Sequence, residues 1–337
     1  MCNKKAHSSY DIIGRRKAKM KLTHTIGNTP MIKIAYTYQE KKNTIYVKLE
    51  YFNLTGSIKD RVAYYIIQNA KKRGELKDNM PIIEATSGNT GISLAALGSL
   101  YHHKVTIFMP DWVSKERIQL MHSYGAEVIL VSKEEGGFIK CVEEAKKLAK
   151  EKNGFLANQF ASQDNFLAHY ETTAEEILKQ TPEKIGGFVS GVGTGGTLMG
   201  TGKRLKEQNP EMKIVAIEPD KMPIISQGKI IAHHKIEGIG DDFVPDLVDR
   251  KAIDDIILVN DEDAINMARK LAKELGLGVG ISSGANLIGC ILWQEKIKKP
   301  VVTVFADDNK KYLSTDLGKE MVKNKEFISN QIYFHNC

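Results

Sequence analysis

The chain has 337 residues, of which 42% are hydrophobic and 26% are charged, and its formal net charge is +7. This is an ordinary globular composition, at a length where one core usually divides into two domains. No run of about 18 apolar residues predicts a membrane span, and the lysines are spread along helical patterns, which argues against nucleic acid as a partner. The four cysteines are far apart and show neither disulfide nor metal-ligand spacing, so we expect a cytoplasmic protein without a metal site.

Predicted strands and helices alternate along the chain. Residues 1–21 are polar and basic and are expected to form a flexible arm. Strands are predicted over 44–50, 81–86, 104–109 and 127–132, and helices over 60–73, 92–100, 114–124 and 141–152. After an irregular stretch over 157–169, taken as the crossing between domains, strands follow at 187–190, 213–218, 256–259 and 301–305, with helices at 198–207 and 263–275. This alternation predicts the α/β class with mostly parallel sheets.

A lysine at the beginning of the first predicted helix is the leading catalytic candidate. Residues 53–61 read Asn-Leu-Thr-Gly-Ser-Ile-Lys-Asp-Arg, which places Lys59 just after a glycine-serine turn. The pKa of an amine falls readily when the group is desolvated, and a neutral amine can form a Schiff base with a carbonyl. Most lysines in such turns are solvated, so this candidate depends on the motifs that follow.

A glycine-rich turn connects the strand at 187–190 to the helix at 198–207. It consists of Gly193, Thr194, Gly195, Gly196 and Thr197. Glycines allow backbone N–H groups to converge at a helix N-terminus, which predicts a phosphate site, although glycines needed only for packing are the alternative. The spacing matches neither GxGxxG nor GxxxxGK[ST], which argues against a dinucleotide and against ATP.

A second turn of the same kind follows the strand at 81–86 and is richer in hydroxyl groups. It runs from Thr86 to Thr90, and such donors at a helix N-terminus favour a carboxylate. A reactive lysine, a phosphate site and a carboxylate site together describe an enzyme in which an amino acid meets an aldehyde-bearing phosphate cofactor. That cofactor is pyridoxal 5'-phosphate.

With these motifs the chain resembles the fold type II pyridoxal-phosphate enzymes, specifically cysteine synthase (O-acetylserine sulfhydrylase) and the catalytic core of cystathionine β-synthase. The likeness covers about residues 22–317 and depends on IGNTP at 26–30, GSIKDR at 56–61, EATSGNTG at 84–91, NQF at 158–160, GVGTGGT at 191–197, GISSGA at 280–285 and YLST at 312–315.

The resemblance implies two three-layer α/β/α domains with the cofactor in the cleft between them, and a homodimer. The smaller, mobile substrate-binding domain would span 54–165. The larger cofactor-binding domain would combine 22–53 with 166–320, and 321–337 would form a C-terminal tail.

The same resemblance implies roles for single residues. Lys59 would hold the cofactor as a Schiff base and remove the substrate Cα proton, Asn89 would contact the cofactor 3'-oxygen, and Ser282 would face the pyridine nitrogen. Four residues would bind the substrate carboxylate: Thr86, Ser87, Thr90 and Gln159. Because a neutral hydroxyl does not keep the pyridine nitrogen protonated, the ring would be a weak electron sink, which favours loss of the β-substituent to give an aminoacrylate.

One segment departs from the cysteine synthase pattern. After GIG at 238–240 the chain has Asp241 and Asp242 where cysteine synthases usually carry Ala-Gly, and the second Asp matches cystathionine β-synthases. Loop aspartates are commonly solvated or cap a turn. Alternatively, a carboxylate here would disfavour anionic sulfide and act as a base toward water or a neutral thiol.

The main hypothesis is a cysteine synthase that converts O-acetylserine and sulfide to L-cysteine and acetate. The alternative is a cystathionine β-synthase-like or cysteine-desulfurating enzyme that uses L-serine or L-cysteine and releases hydrogen sulfide from L-cysteine. A threonine or serine dehydratase, which shares the fold, is a further alternative. A non-enzymatic alternative is a silent cofactor-binding partner of serine acetyltransferase, whose tail some family members bind. Retention of Lys59 and of the carboxylate turn argues against loss of chemistry, and NQF and GISSGA favour the cysteine synthase branch.

Overall fold

The computed structural model describes residues 21–320 and 322–335. The predicted N-terminal arm, apart from Lys21, lies outside the described residues, as do positions 321, 336 and 337 of the predicted tail. Within the described part, no helix combines the length and the apolar character that a bilayer crossing requires.

The strands and helices follow the predicted alternation. The strands are β1 (Met31–Tyr38), β2 (Lys41–Leu49), β3 (Ile82–Ala85), β4 (Val105–Pro110), β5 (Glu127–Val131), β6 (Phe155–Leu156), β7 (Gly187–Gly191), β8 (Lys213–Pro219), β9 (Asp255–Val259), β10 (Val301–Phe305) and β11 (Tyr333–Phe334). The helices are α1 (Lys59–Arg73), α2 (Asn89–Tyr101), α3 (Lys115–Ser123), α4 (Gly137–Glu151), α5 (Gln163–Ala168), α6 (Ala174–Gln180), α7 (Gly202–Gln208), α8 (Ile224–Gln227), α9 (Asp261–Leu275), α10 (Ile281–Ile297) and α11 (Ile328–Gln331). Wider π-type turns at His169–Thr173 and Thr197–Thr201 lead directly into α6 and α7.

The strands form two sheets. The larger has the order β11-β1-β2-β10-β7-β8-β9, in which β1 is antiparallel to both of its neighbours and the remaining pairs are parallel. The smaller sheet, β5-β4-β3-β6, is parallel throughout. Mostly parallel sheets need helices on their faces, and the predicted α/β class is therefore confirmed.

Helix α1 shows how local sequence sets these elements. Val62, Ile66 and Ala70 recur on one face and are buried, as the spacing predicts. The helix ends at Gly74, which takes the left-handed conformation with φ of 74° and so closes the last turn without a Cβ penalty. This packing anchors α1, which begins at Lys59, against the hydrophobic core formed with β3, α2 and β4.

Several elements were not predicted from the sequence: β1, α5 and α10, and the short elements β6, α6, α8, α11 and β11. Strand β1 was not predicted, because the turn that joins it to β2 uses Gln39 and Glu40 at positive φ rather than glycine or proline. Helix α10 was not predicted because it is buried on nearly all sides and shows no polar face. Residues 163–168 form α5 rather than irregular chain, and six residues are too few to display a helical period.

Strands β3 to β6 all fall within 82–156, inside the segment assigned to the smaller domain. The exact domain boundaries and the mobility of the smaller domain stay predictions.

Candidate active site

The predicted site residues meet in one cavity of about 690 Å³ between the two sheets, a volume typical of small-molecule sites. Its lining includes Lys59, Thr86, Ser87, Asn89, Thr90, Gln159, Gly193, Thr194, Gly195, Thr197, Asp241, Asp242 and Ser282. Gly196 does not line it. This glycine packs instead against Asn165, whose Oδ1 would lie 2.0 Å from a Cβ at position 196. The cavity lies beyond the carboxyl ends of β3, β7 and β10, where ligands bind in parallel sheets.

Lys59 begins α1 and points its amine into an environment that disfavours charge. Burial lowers the pKa of Lys59 to about 8, even though the Asp241 carboxylate acts in the opposite direction. An ordinary lysine has a pKa of about 10.4. The neutral, nucleophilic form is therefore far more abundant near neutral pH than it is for a surface lysine.

The two aspartates differ in their surroundings. Asp241 is partly buried in the cavity, whereas Asp242 is exposed at its mouth. Burial raises the pKa of Asp241 to about 6, while Lys59 lowers it and Asp242 raises it further. A carboxyl group with such a pKa can both accept and donate a proton near neutral pH.

The hydroxyl-rich turn is held by its own hydrogen bonds and by Gln159. The Thr86 hydroxyl oxygen accepts from the Gly88 N–H at 3.1 Å, so its hydrogen remains available to a ligand. Thr90 donates its hydroxyl to Gln159 Oε1 at 2.5 Å, and Gln159 Nε2 donates to the Ala85 carbonyl at 3.3 Å. The Thr90 hydroxyl must therefore rotate before it can donate to a carboxylate.

The glycine turn has the shape of an anion site. Gly195 adopts φ of +88°, and a Cβ at Gly193 would lie 2.6 Å from the Gly238 carbonyl oxygen, so both positions require glycine. Thr194 and Thr197 add two hydroxyls to the cavity wall. The helical segment that begins at Thr197 contributes the positive end of its dipole.

Asn89 and Ser282 lie at the N-terminal ends of α2 and α10. Asn89 Nδ2 donates to Asp307 Oδ2 at 2.7 Å, and the Tyr312 hydroxyl donates to the same oxygen. Burial raises the pKa of Asp307. Asn89 Oδ1 is buried without a partner among the described residues, and such an atom is expected to meet a ligand.

Residues 22–307 match the protein family described as pyridoxal-phosphate dependent enzyme. The chain belongs to this family. Cysteine synthase of Staphylococcus aureus is 40% identical over 299 residues, which cover 88% of this chain and 96% of that protein. The structure of a hydrogen sulfide-producing enzyme from Fusobacterium nucleatum is 48% identical, with a TM-score of 0.90 and coverage of 94% of this chain and 96% of that chain. Cysteine synthase of Entamoeba histolytica is 38% identical, with a TM-score of 0.85 and coverage of 96% and 98%.

The fold is therefore fold type II, and pyridoxal phosphate is the cofactor. The residues in the cavity fit this group. They provide an amine with a lowered pKa in Lys59, a glycine turn shaped for a phosphate at 193–197, and an unpartnered amide oxygen in Asn89. Lys59, the glycine turn, Asn89 and Ser282 would hold the cofactor.

Arg117 was not predicted from the sequence. It lies in the first turn of α3 and is 2% exposed. Its Nη1 donates to the Ser87 carbonyl at 2.8 Å, its Nε donates to Ser114 Oγ at 2.8 Å, and its Nη2 pairs with Glu237. The guanidinium also lies 5.2 Å from the centre of the Tyr312 ring. Arg117 thus joins the hydroxyl-rich turn to the loop that precedes the two aspartates. No local signal reveals such a contact, because its partner is 120 residues away.

Sequence analysis also assigned no role to Glu84, although it begins one of the quoted motifs. Its carboxyl group accepts from the backbone N–H groups of Ala85 at 2.8 Å and of Gln159 at 3.1 Å. Burial raises the pKa of Glu84 to about 7. This buried carboxyl ties the segment with Gln159 to the hydroxyl-rich turn from behind.

Proposed function

We propose that this enzyme carries out β-replacement on a serine-type amino acid, converting O-acetylserine and sulfide to L-cysteine and acetate. The proposal depends on one observation: a single cavity contains a lysine whose pKa is lowered to about 8, the hydroxyl-rich turn and the glycine turn. The similarity to proteins named cysteine synthase supports the same reaction class.

The cofactor, the hydroxyl-rich turn and Lys59 have separate roles in the proposed reaction. Bound pyridoxal phosphate supplies an aldehyde that condenses with amines and a ring that stabilises negative charge at the substrate Cα. Thr86 and Ser87 bind the substrate carboxylate through hydroxyl and backbone donors, and Thr90 joins them once its hydroxyl turns away from Gln159. The Lys59 amine, whose pKa is lowered to about 8, would take the Cα proton. Closure of the cavity keeps water from competing with the sulfur nucleophile.

A second candidate is release of hydrogen sulfide from L-cysteine, and Asp241 favours it. This carboxyl group shares the cavity with Lys59, and its pKa is raised to about 6. A protonated Asp241 gives its proton to the departing sulfur, so that hydrogen sulfide leaves as a neutral molecule. Its ionised form repels an incoming hydrosulfide anion. A hydrogen sulfide-producing relative at 48% identity, of which an Asp-to-Asn mutant has been captured with an α-aminoacrylate intermediate, supports this candidate.

The two candidates are separated by supplying donors one at a time to the purified holoenzyme. O-acetylserine with sulfide is assayed for L-cysteine, L-cysteine is assayed for released sulfide, and L-serine is assayed for products of β-elimination. Formation of L-cysteine only from O-acetylserine supports the first candidate, and sulfide released from L-cysteine supports the second. Lys59→Ala should abolish both activities, and activity retained in that variant would refute the assignment of Lys59.

The Asp241→Asn variant tests the role of the buried carboxyl group. Sulfide release from L-cysteine should fall by about 10²- to 10⁴-fold, the usual contribution of a proton-transferring group. Asp242→Asn is the matched control, because Asp242 is exposed at the mouth and should leave the rate nearly unchanged. If Asp241→Asn keeps the wild-type preference among the three donors, the role of Asp241 is wrong.

We further propose that the enzyme is a cytoplasmic homodimer that can bind the C-terminal tail of a serine acetyltransferase. The family resemblance supports the dimer, and the scattered cysteines, with Cys141 and Cys290 free and buried, support a reducing compartment. A hydroxyl-rich turn at a helix N-terminus suits a terminal carboxylate as well as an amino acid. Size-exclusion chromatography with light scattering, and competition between a tail peptide and the amino acid, test both points.

A further inference from the structure

Asn165 lies behind the cavity wall, and neither the motifs nor the family resemblance singled it out. It sits in the first turn of α5 and is fully buried. Its Nδ2 donates to the Gln159 carbonyl at 2.9 Å and to the Thr194 hydroxyl oxygen at 2.8 Å. Because a carbonyl oxygen can only accept, the contact with Gln159 also fixes which end of the amide carries the hydrogens. One NH₂ group therefore touches both the segment that recognises the amino acid and the turn shaped for the phosphate.

The hydrogen bond from Asn165 sets the orientation of the Thr194 hydroxyl hydrogen. A threonine hydroxyl has one hydrogen to donate, and here its oxygen already accepts from Asn165. Thr194 lines the cavity, so its hydrogen is left to point at a ligand there. A phosphate dianion has only acceptor oxygens and requires this orientation.

The contact with Gln159 fixes the backbone of the carboxylate site. The Gln159 carbonyl accepts from Asn165, and the Gln159 N–H donates to Glu84 at 3.1 Å. The peptide groups on both sides of this residue are therefore held. Its side chain can then meet Thr90 and a substrate carboxylate in one defined place.

Close packing keeps the Asn165 amide from rotating. A Cβ at Gly196 would lie 2.0 Å from Asn165 Oδ1, so the glycine turn presses directly against this side chain. The same Oδ1 is buried without a partner among the residues that the structure describes. A buried polar atom left unpaired costs stability, and its retention fits a side chain placed for its two donated bonds.

We propose that Asn165 is a positioning residue that turns the Thr194 hydroxyl toward the cofactor phosphate and holds Gln159 for the amino acid, so that one side chain aligns both sites. The presence of a cofactor phosphate follows from membership of the family, and its place at the glycine turn is part of the proposal. The effect of Asn165 on the amino acid rests on the proposed function.

The test uses Asn165→Asp, which keeps the size of the side chain but replaces both donors with acceptors. Thr194 would then donate to the new carboxylate and turn away from the cofactor. Pyridoxal phosphate and pyridoxal, which lacks the phosphate, are titrated into the apoprotein and followed by absorbance. The variant should bind pyridoxal phosphate at least about tenfold more weakly, as for loss of one charge-assisted hydrogen bond, with pyridoxal binding changed by less than about threefold. The KM for the amino acid should rise about tenfold or more, and kcat should change less.

Two further variants test whether the loss of pyridoxal phosphate affinity depends on the contact between Asn165 and Thr194. Asn209→Asp is the matched control. Asn209 Nδ2 also donates to a backbone carbonyl, at 2.8 Å, and its Oδ1 also has no partner within the described part of the chain, but Asn209 does not line the cavity. It should bind both ligands as the wild type does. In a Thr194→Val background, Asn165→Asp should add little to the loss of pyridoxal phosphate affinity, because the hydroxyl that it misdirects is already gone.

Equal losses for pyridoxal phosphate and pyridoxal, losses additive with Thr194→Val, or wild-type behaviour of Asn165→Asp would each overturn the proposal. If Asn165→Asp does not fold, Asn165→Ser, which shortens the side chain and breaks the bridge, is measured against the same expectations. If no donor is turned over by the wild type while the phosphate-specific loss is present, the proposed function fails and the orientation of Thr194 by Asn165 stands.

Discussion

Arg61 is the centre of a buried ion cluster that anchors the helix carrying Lys59, and Arg61→Met should destabilise the protein strongly. The arginine is 1% exposed and Glu50 is fully buried. Arg61 donates to Glu50 at 2.7 and 2.8 Å and to Glu176 at 2.6 and 2.7 Å. Lys48 still pairs with Glu176 at 2.7 Å when the arginine is removed, so Glu50 is the carboxylate left without its main partner.

The expected loss is about 3–5 kcal/mol in the free energy of unfolding, the range for removing one partner of a buried ion pair. Arg73→Met on the same helix is the matched control. Arg73 pairs with Glu75 at 2.9 Å and with Asp164 at 2.8 Å, and its own side chain is 46% exposed. The Asp164 carboxylate is buried, but it keeps a hydrogen bond from Asn69 Nδ2 at 2.9 Å when the arginine is removed. Exposed pairs contribute about 0–1 kcal/mol, so the two methionine variants should differ by several kcal/mol.

Urea unfolding of the apoproteins, followed by tryptophan fluorescence, measures the difference as the change in midpoint multiplied by the slope. Adding Glu50→Gln to Arg61→Met should recover part of the loss, because the charge left behind is removed. Although burial acts to raise it, Arg61 holds the pKa of Glu50 below its ordinary value. The stabilisation from ionised Glu50 is present above its unfolded-state pKa and is lost as pH falls through its folded-state pKa. The stability difference between Arg61→Met and Arg73→Met should therefore become smaller in acid. An Arg61→Met protein no less stable than Arg73→Met would refute this reasoning.

Three further predictions concern the cavity and the buried carboxyl group behind it. The rate of pyridoxal phosphate uptake by the apoprotein should increase with pH and level off above about 8, since the pKa of Lys59 is lowered to about 8. Asp241→Asn should shift this rate profile to lower pH. A rate that reaches half of its maximum only near the pKa of a free lysine would contradict both expectations. Burial raises the pKa of Glu84 to about 7, so its ionised form destabilises the fold as pH rises. The stability of Glu84→Gln relative to the wild type should therefore grow by about 3 kcal/mol between about pH 5 and 8 in urea titrations, and a constant difference would argue against it. Gly195→Ala should weaken pyridoxal phosphate binding by about tenfold or more, because Gly195 has φ of +88° and a Cβ at this position would lie 2.7 Å from a valine methyl. Gly228→Ala controls for backbone strain alone, because Gly228 has φ of +64° and no described atom lies within 4 Å of its added Cβ.

Much of the fold and site follows from local chemistry in the sequence. The alternation of apolar strands and amphipathic helices predicted the α/β class, and Gly74 predicted the end of α1. Glycines and hydroxyls directly after the strands ending at Ala85 and Gly191 predicted two anion sites. Such features are readable because a turn, a cap and a helix N-terminus involve residues only a few positions apart.

Tertiary structure alone decided which side chains act together. Asn165 reaches Thr194 across 29 positions, and Arg117 reaches Glu237 across 120, so neither pairing leaves a local pattern. The family resemblance singled out Asp242, yet Asp241 is the partly buried aspartate that shares the cavity with Lys59, and burial shifts the pKa of Lys59 and of Asp241. Helix α10 has no polar face because both of its sides are covered. How deeply a charged or polar side chain is buried depends on how distant segments pack, and local sequence does not encode it.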